Sequence, residues 1–172
     1  MGLYLIWHAK TFGKKIACML LRALPIIIIC SLPFLGDYRL MPPVSIGALI
    51  ISIITLIFSI GIMLAFIMVM YTVIMRTITS QGIRTTFDLI YNFCSGGLIP
   101  IPFMPEPVVN ILKVTPFYYM QNVSFNIYNG YINNPTEIAQ ILVIQVVWLI
   151  GLTLLGRYLL NKQLSRVIVQ GG

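Results

Sequence analysis

One histidine and four carboxylates are all that the 172 residues offer for acid–base chemistry or metal ligation. The carboxylates Asp37, Asp88, Glu106 and Glu137 are strung along the whole chain, far from His8. Nucleophilic catalysis needs a nucleophile, a base and an orienting group within reach of one another, and a zinc site needs three or four ligands at short spacings. Neither pattern is present, and His8 reads as part of a basic leader. Cys18, Cys30 and Cys94 are odd in number, lie in apolar stretches and form no C-x-x-C pair. They read as small packing residues rather than a disulfide framework or a zinc site. The phosphate-cradling string G-x-x-x-x-G-K-[ST] is absent, Gly13-Lys14-Lys15 being the nearest approach. The expectation is a protein that is not an enzyme, with no cofactor or metal of its own.

The remaining polar groups of interest sit inside apolar stretches. Asp88 is an ionisable group within such a stretch, which is a functional hypothesis by default, and with Asn92 it makes a candidate polar pathway. Arg84 lies four residues earlier, so a helix-start ion pair near an interface is the plainer reading of Asp88. Asn92, Ser95, Gln140 and Gln145 lie deeper. Lining a path is one use for them, and hydrogen bonding between helices is the commoner one. Asn122-Val123-Ser124 matches a glycosylation acceptor, a pattern frequent by chance.

These residues must be positioned by elements that suit an apolar solvent, because 59% of the chain is hydrophobic and 9% charged, with a mean hydropathy of +0.96. A soluble domain carries about a quarter of its residues as charges. A bilayer core of roughly 30 Å takes about 20 apolar helical residues, and four segments meet that ruler. The spans are expected at about 16–35, 44–75, 84–103 and 138–160. The first carries Arg22 near its start and Pro25 and Pro33 inside, so it reads as bent, with Ser31 available to bond a freed carbonyl. In the third, the dense Gly and Pro of its second half predict a broken or re-entrant helix. Between the third and fourth lies a stretch rich in Tyr, Phe and Asn, suited to an interfacial layer with short amphipathic helices. Asn134 or Thr136 is placed to cap the last span around Pro135. The fold class is all-α: one polytopic transmembrane bundle over residues 1–172.

The net charge of +7 comes from 11 Lys and Arg residues scattered at the flanks of these runs, which argues for orientation in a membrane and against nucleic-acid binding. Lys10, Lys14, Lys15, Arg22, Arg76, Arg84, Arg157, Lys162 and Arg166 fall on one side of a four-span topology, and Arg39 and Lys113 on the other. Basic residues mark the cytoplasmic side, so both termini are expected there.

Four strings then carry a family resemblance. They are Phe93 to Pro105, containing Ser95-Gly96 and Pro100; Thr115-Pro116-Phe117 with the later Asn129-Gly130; Gln145-Val146-Val147-Trp148; and the closing Val169-Gln170-Gly171-Gly172. In order and spacing they resemble the ABC-2 type transporter permeases, most closely the bacterial branch related to antibiotic and daunorubicin-type exporters. The resemblance marks Ser95, Gly96, Pro100, Pro105, Pro116, Phe117, Gln145, Trp148, Gly171 and Gly172 as motif positions. It implies a multi-pass protein of the bacterial plasma membrane, moving an amphiphilic or drug-like cargo outward. It implies a separate ATPase subunit as partner and a homodimer or a second permease subunit. The candidate docking surfaces for the ATPase are the leader, with Tyr4, Trp7 and Phe12, and the loop from Arg76 to Arg84. Permeases of this family have about six spans, so this sequence is expected to correspond to the part following their second span. The competing expectation is a non-transporting or channel-like four-helix membrane protein, an assembly or immunity factor needing no ATPase.

Overall fold

A computed structural model describes residues 2–31, 42–75 and 80–164. Pro33, Arg39, Arg76, Gly171, Gly172 and the end of the first expected span lie outside the described residues, as do the side chains of Tyr4 and Trp7. By its contacts the chain divides into Met1–Pro43 and Val44–Gly172.

The first unit is helix α1, Gly2–Cys30, 29 residues with Pro25 inside. It begins well before the expected Ile16, so leader and apolar segment are one helix. Apart from Arg22, its second half is apolar, with Leu21, Ile26 and Ile28 all exposed. The Ser31 hydroxyl donates to Ile27 O at 2.6 Å. That is a bond at the helix end and does not reach Leu21 O, the carbonyl that Pro25 leaves without its donor.

The second unit opens with α2, Ile46–Ile74, whose N-cap Ser45 accepts from the Ala48 amide at 3.0 Å. After it come α3, Ser80–Cys94; a 3₁₀ turn, Ile101–Phe103; α4, Glu106–Val114; α5, Tyr118–Tyr128; and α6, Pro135–Leu164. No strand occurs among the described residues. Two helices are long and apolar enough to cross a bilayer, Ile46–Ile74 and Pro135–Gln163. The third expected span is helical only from Ser80 to Cys94, 15 residues or about 22 Å at 1.5 Å per residue.

Why α3 stops is legible in its hydrogen bonds. Gly96 takes φ +85°, and the amides of Gly96 and Gly97 turn back to Phe93 O (3.3 Å) and Asn92 O (2.8 Å). This is a Schellman cap, which satisfies carbonyls the helix end would leave bare, and a left-handed residue at its centre favours glycine. The same cap closes α5 bond for bond: Gly130 takes φ +77°, and Gly130 and Tyr131 donate to Ile127 O (3.1 Å) and Asn126 O (2.9 Å).

Contacts along α2 give the directions of its neighbours. Arg84, Phe87 and Tyr91 of α3 meet Tyr71, Phe66 and Met63 in turn, so α3 runs antiparallel to α2 along its C-terminal half. Phe117 meets Phe66, Tyr119 O meets Ser59, and Gly130 lies against Val44, so α5 runs antiparallel along the N-terminal half. Gln145 meets Thr55 and Ser59, and Leu149 meets Gly61, so α6 is parallel to α2. Two short helices thus return, in two pieces, the distance that α2 descends and α6 descends again.

The core lies on α2, where Ile62 and Ala65 pack with Tyr119, Met120, Val123 and Ile127 of α5 and with Ile141 and Leu152 of α6. Within this apolar core several polar groups are also buried, while branched aliphatics cover the outside. Ser52, Thr55, Ser59 and Gln145 are buried, while Ile50, Ile53 and Ile57 of α2 and Val143, Val147, Ile150 and Leu154 of α6 point outward. Hydroxyls and amides bridging helices, with branched aliphatics outside, suit a hydrocarbon surround.

Candidate functional site

Of the hydroxyls on the buried face of α2, Ser52 and Thr55 donate to carbonyls of their own helix, Leu49 O (2.8 Å) and Ser52 O (3.0 Å). Ser59 instead crosses to α5, donating to Tyr119 O at 2.7 Å with Ser124 Oγ at 3.4 Å. From α6, Gln145 brings its Nε2 to Thr55 O (3.2 Å), Ser59 Oγ (3.1 Å) and Tyr119 O (3.2 Å). Two of those three acceptors are carbonyls and cannot donate, so the NH₂ end of the amide must face them. Its other end, Oε1, is buried with no hydrogen-bond partner. Three helices therefore meet at one fully buried amide, in a medium where each polar contact replaces a bare group rather than a hydrated one.

The second feature is the break between α3 and α5. Ser95 closes α3 with 2% of its surface exposed, and its Oγ has no partner within hydrogen-bonding distance. Tyr91, one turn earlier, directs its hydroxyl proton at Met63 Sδ, 3.5 Å away. A cavity of about 140 Å³ opens here, lined by Ser95, Pro100, Ile101 and Pro102 on one side and Gln121, Asn122 and Phe125 of α5 on the other. At the far end of α5 a larger apolar groove of about 380 Å³ runs between the starts of α2 and α6, with Val44, Ile51, Ile127 and Ile138 in its walls.

The structure gathers some of the expected positions and separates others. Ser95, Gly96 and Pro100 share the capping turn and its cavity. Pro105 precedes the first turn of α4. Pro116 is buried, and the Phe117 ring meets Phe66 edge-on at 5.1 Å. Gln145 is the central amide, and Trp148 packs half-buried against the core. Asn134, followed by Pro135, caps α6, its Oδ1 accepting from the Thr136 amide (3.1 Å) and hydroxyl (2.8 Å). Asp88 and Asn92 are both exposed on α3, and Asn92 serves the cap through its carbonyl. Phe12 is exposed on α1.

Two expectations are corrected. No ion pair joins Asp88 to Arg84 among the described residues; Arg84 lies 6.0 Å from the centre of the Tyr71 ring instead. An Arg placed before its acid is the weaker i,i+4 order, and the ring competes for the cation. Asn122-Val123-Ser124 is no glycosylation loop: it lies within α5, with Val123 fully buried and Ser124 turned to Ser59. Sequence reasoning missed Ser59 and Gln121, although Ser52, Thr55 and Ser59 at i, i+3 and i+7 place three hydroxyls on one helix face.

Comparison with protein-family models, with curated proteins and with solved structures found no match.

Proposed function

We propose that the chain is the membrane-spanning permease subunit of an ATP-binding-cassette exporter of the ABC-2 type, moving an amphiphilic or drug-like cargo outward with energy from a separate ATPase subunit. The observation that carries the reading is the split return path. Two parallel apolar helices, α2 and α6, are joined by a half-length helix, a capped turn followed by a 3₁₀ turn and the short helix α4, and a second half-length helix. The Ser95-Gly96 string of the family resemblance falls on that turn. Discontinuous helices at membrane depth are how transporters place polar backbone where it meets cargo, because irregular backbone there must be packed in protein or face a cavity. Counting α1 and the split return as crossings gives four, with both termini cytoplasmic and Arg84 at the cytoplasmic end of α3, where an ATPase would dock.

The test is co-expression with a candidate ATP-binding-cassette ATPase subunit, purification of the pair and assay of ATP hydrolysis in proteoliposomes. Association together with at least a several-fold rise in hydrolysis over the ATPase alone is the expected result. Failure to associate, or ion conductance by the chain alone without nucleotide, would overturn the proposal in favour of the channel-like alternative.

A further inference from the structure

The geometry points to the groove between the starts of α2 and α6 as a site that holds one acyl chain of a bilayer lipid. The inference rests on these two helices lying in hydrocarbon and not on transport, so it goes beyond the permease reading.

Shape supplies the first argument. Gly47, Ala48 and Ile51 line the groove from α2, and Ile138, Ala139 and Leu142 from α6, with the buried Ile127 and Ile132 behind them. From Ser45 to Ile51 and from Pro135 to Leu142 it follows each helix for about 10 Å. Beyond it Gln145 bonds Thr55 O at 3.2 Å and draws the helices together, so the space is a wedge closed at that end. Polarity supplies the second argument. No Asp, Glu, Lys, Arg or His contributes to the lining, and its polar side chains, Ser45 and Asn133, are both exposed at the end where the helices begin. A slot that is polar at one end and aliphatic along its depth fits a chain carrying its polar group at one end.

The surroundings decide what fills it. A space of about 380 Å³ falls within the roughly 300 to 1,000 Å³ of pockets that enclose small molecules. Left empty, its walls forfeit their dispersion contacts, and water does not replace them, because an apolar cavity stays dry. Its rims continue into the outward-facing Ile50 of α2 and Val143 of α6, a surface that suits hydrocarbon, so the fluid at its mouth is lipid chain. Gly47 keeps the space open. A Cβ there would meet only Ser45 Oγ at 3.8 Å, so no neighbour requires a glycine, a poor helix former.

The probes are dioleoylphosphatidylcholine and dioleoylphosphatidylglycerol, added to the full chain in detergent micelles, with native mass spectrometry counting the lipid each chain retains. The wild type should retain one molecule of either, since the lining offers nothing to select a headgroup charge. Gly47→Leu and Ala139→Phe fill the groove and should each lower retention by about tenfold. Val147→Phe, on the exposed surface of α6 outside the groove, should retain lipid as the wild type does. Gly47→Leu adds its side chain to open space, and unchanged helical circular dichroism checks the fold of all three variants. No retained lipid in the wild type, equal retention in the filled variants, equal loss in Val147→Phe or selection of one headgroup would each overturn the assignment. A wild-type dimer that the filled variants separate would also overturn it, making the groove an interface between copies. A failed ATPase assay would leave these outcomes unaffected.

Discussion

Gln145 Nε2 stands 3.1 Å from Ser59 Oγ, which itself donates to Tyr119 O at 2.7 Å, so one side chain of α6 and one of α2 hold the start of α5 between them. The arrangement makes the pair separable by substitution. Gln145→Leu keeps the volume and removes the amide, while Ser59 continues to satisfy Tyr119 O. We expect a loss of about 1 kcal/mol, near the range measured for hydrogen bonds within membranes. Gln145→Ala adds a cavity and should lose about 2 to 3 kcal/mol. Thermal unfolding in micelles would check both, and a Leu variant as stable as the wild type would remove the amide from its structural role.

Gly61 permits α6 to approach α2. A Cβ there would lie 3.1 Å from Leu149 Cδ1, the movable end of a flexible side chain. Gly61→Ala should therefore fall within about 0.5 kcal/mol of wild type, the gain in helix propensity offsetting the crowding. Gly61→Ile has no such escape and should lose about 1 to 3 kcal/mol by overpacking. Equal stability of the two variants, by the same unfolding measurement, would show that the helices do not meet there.

Gly130 couples a backbone requirement to a packing one. Its φ is +77°, and a Cβ would sit 2.7 Å from Val44 Cγ2. Gly130→Ala meets both penalties, the left-handed conformation alone being worth about 1 to 2 kcal/mol. Val44→Ala in the same chain should recover the clash and leave the conformational part. Full recovery in the double variant would mean that φ carries no penalty at this turn.

Topology is open to direct chemistry. In a background with Cys18, Cys30 and Cys94 replaced by Ser, single cysteines at Ser45 and Thr136 should react with an impermeant maleimide added outside right-side-out vesicles. Cysteines at Gln81 and Lys162 should react from the opposite side. Labelling of Ser45→Cys and Thr136→Cys from different sides would exclude a parallel α2 and α6 in the membrane.

The sequence made the two long helices readable because nothing ionisable interrupts α2 and because Asn134 and Pro135 announce the start of α6; both boundaries come within a few residues of those expected. The stretch from Ser95 to Pro105 was legible as irregular from its Gly and Pro content, and the capping turn gives that irregularity a form. What could not be read was pairing. The face of α2 that takes α3 and the face that takes α5 share the same apolar composition. That Ser59 rather than Ser52 or Thr55 reaches across depends on where Tyr119 lies, a relation spanning 60 residues. The polar cavity escaped for the same reason, since Gln121 and Ser95 belong to helices whose juxtaposition no local pattern encodes.

The junction at Gln145 also orders events during synthesis. Gln145 and Thr55 are 90 residues apart, which a ribosome covers in roughly 5 to 20 s at about 5 to 20 residues per second. For most of that interval α2, which ends at Ile74, is complete while the amide that ties it to α6 has not been made. Its hydroxyls at Ser52 and Thr55 are already bonded to their own helix, so α2 can wait in lipid with little left unsatisfied, and Ser59 is the group held open for partners still to arrive.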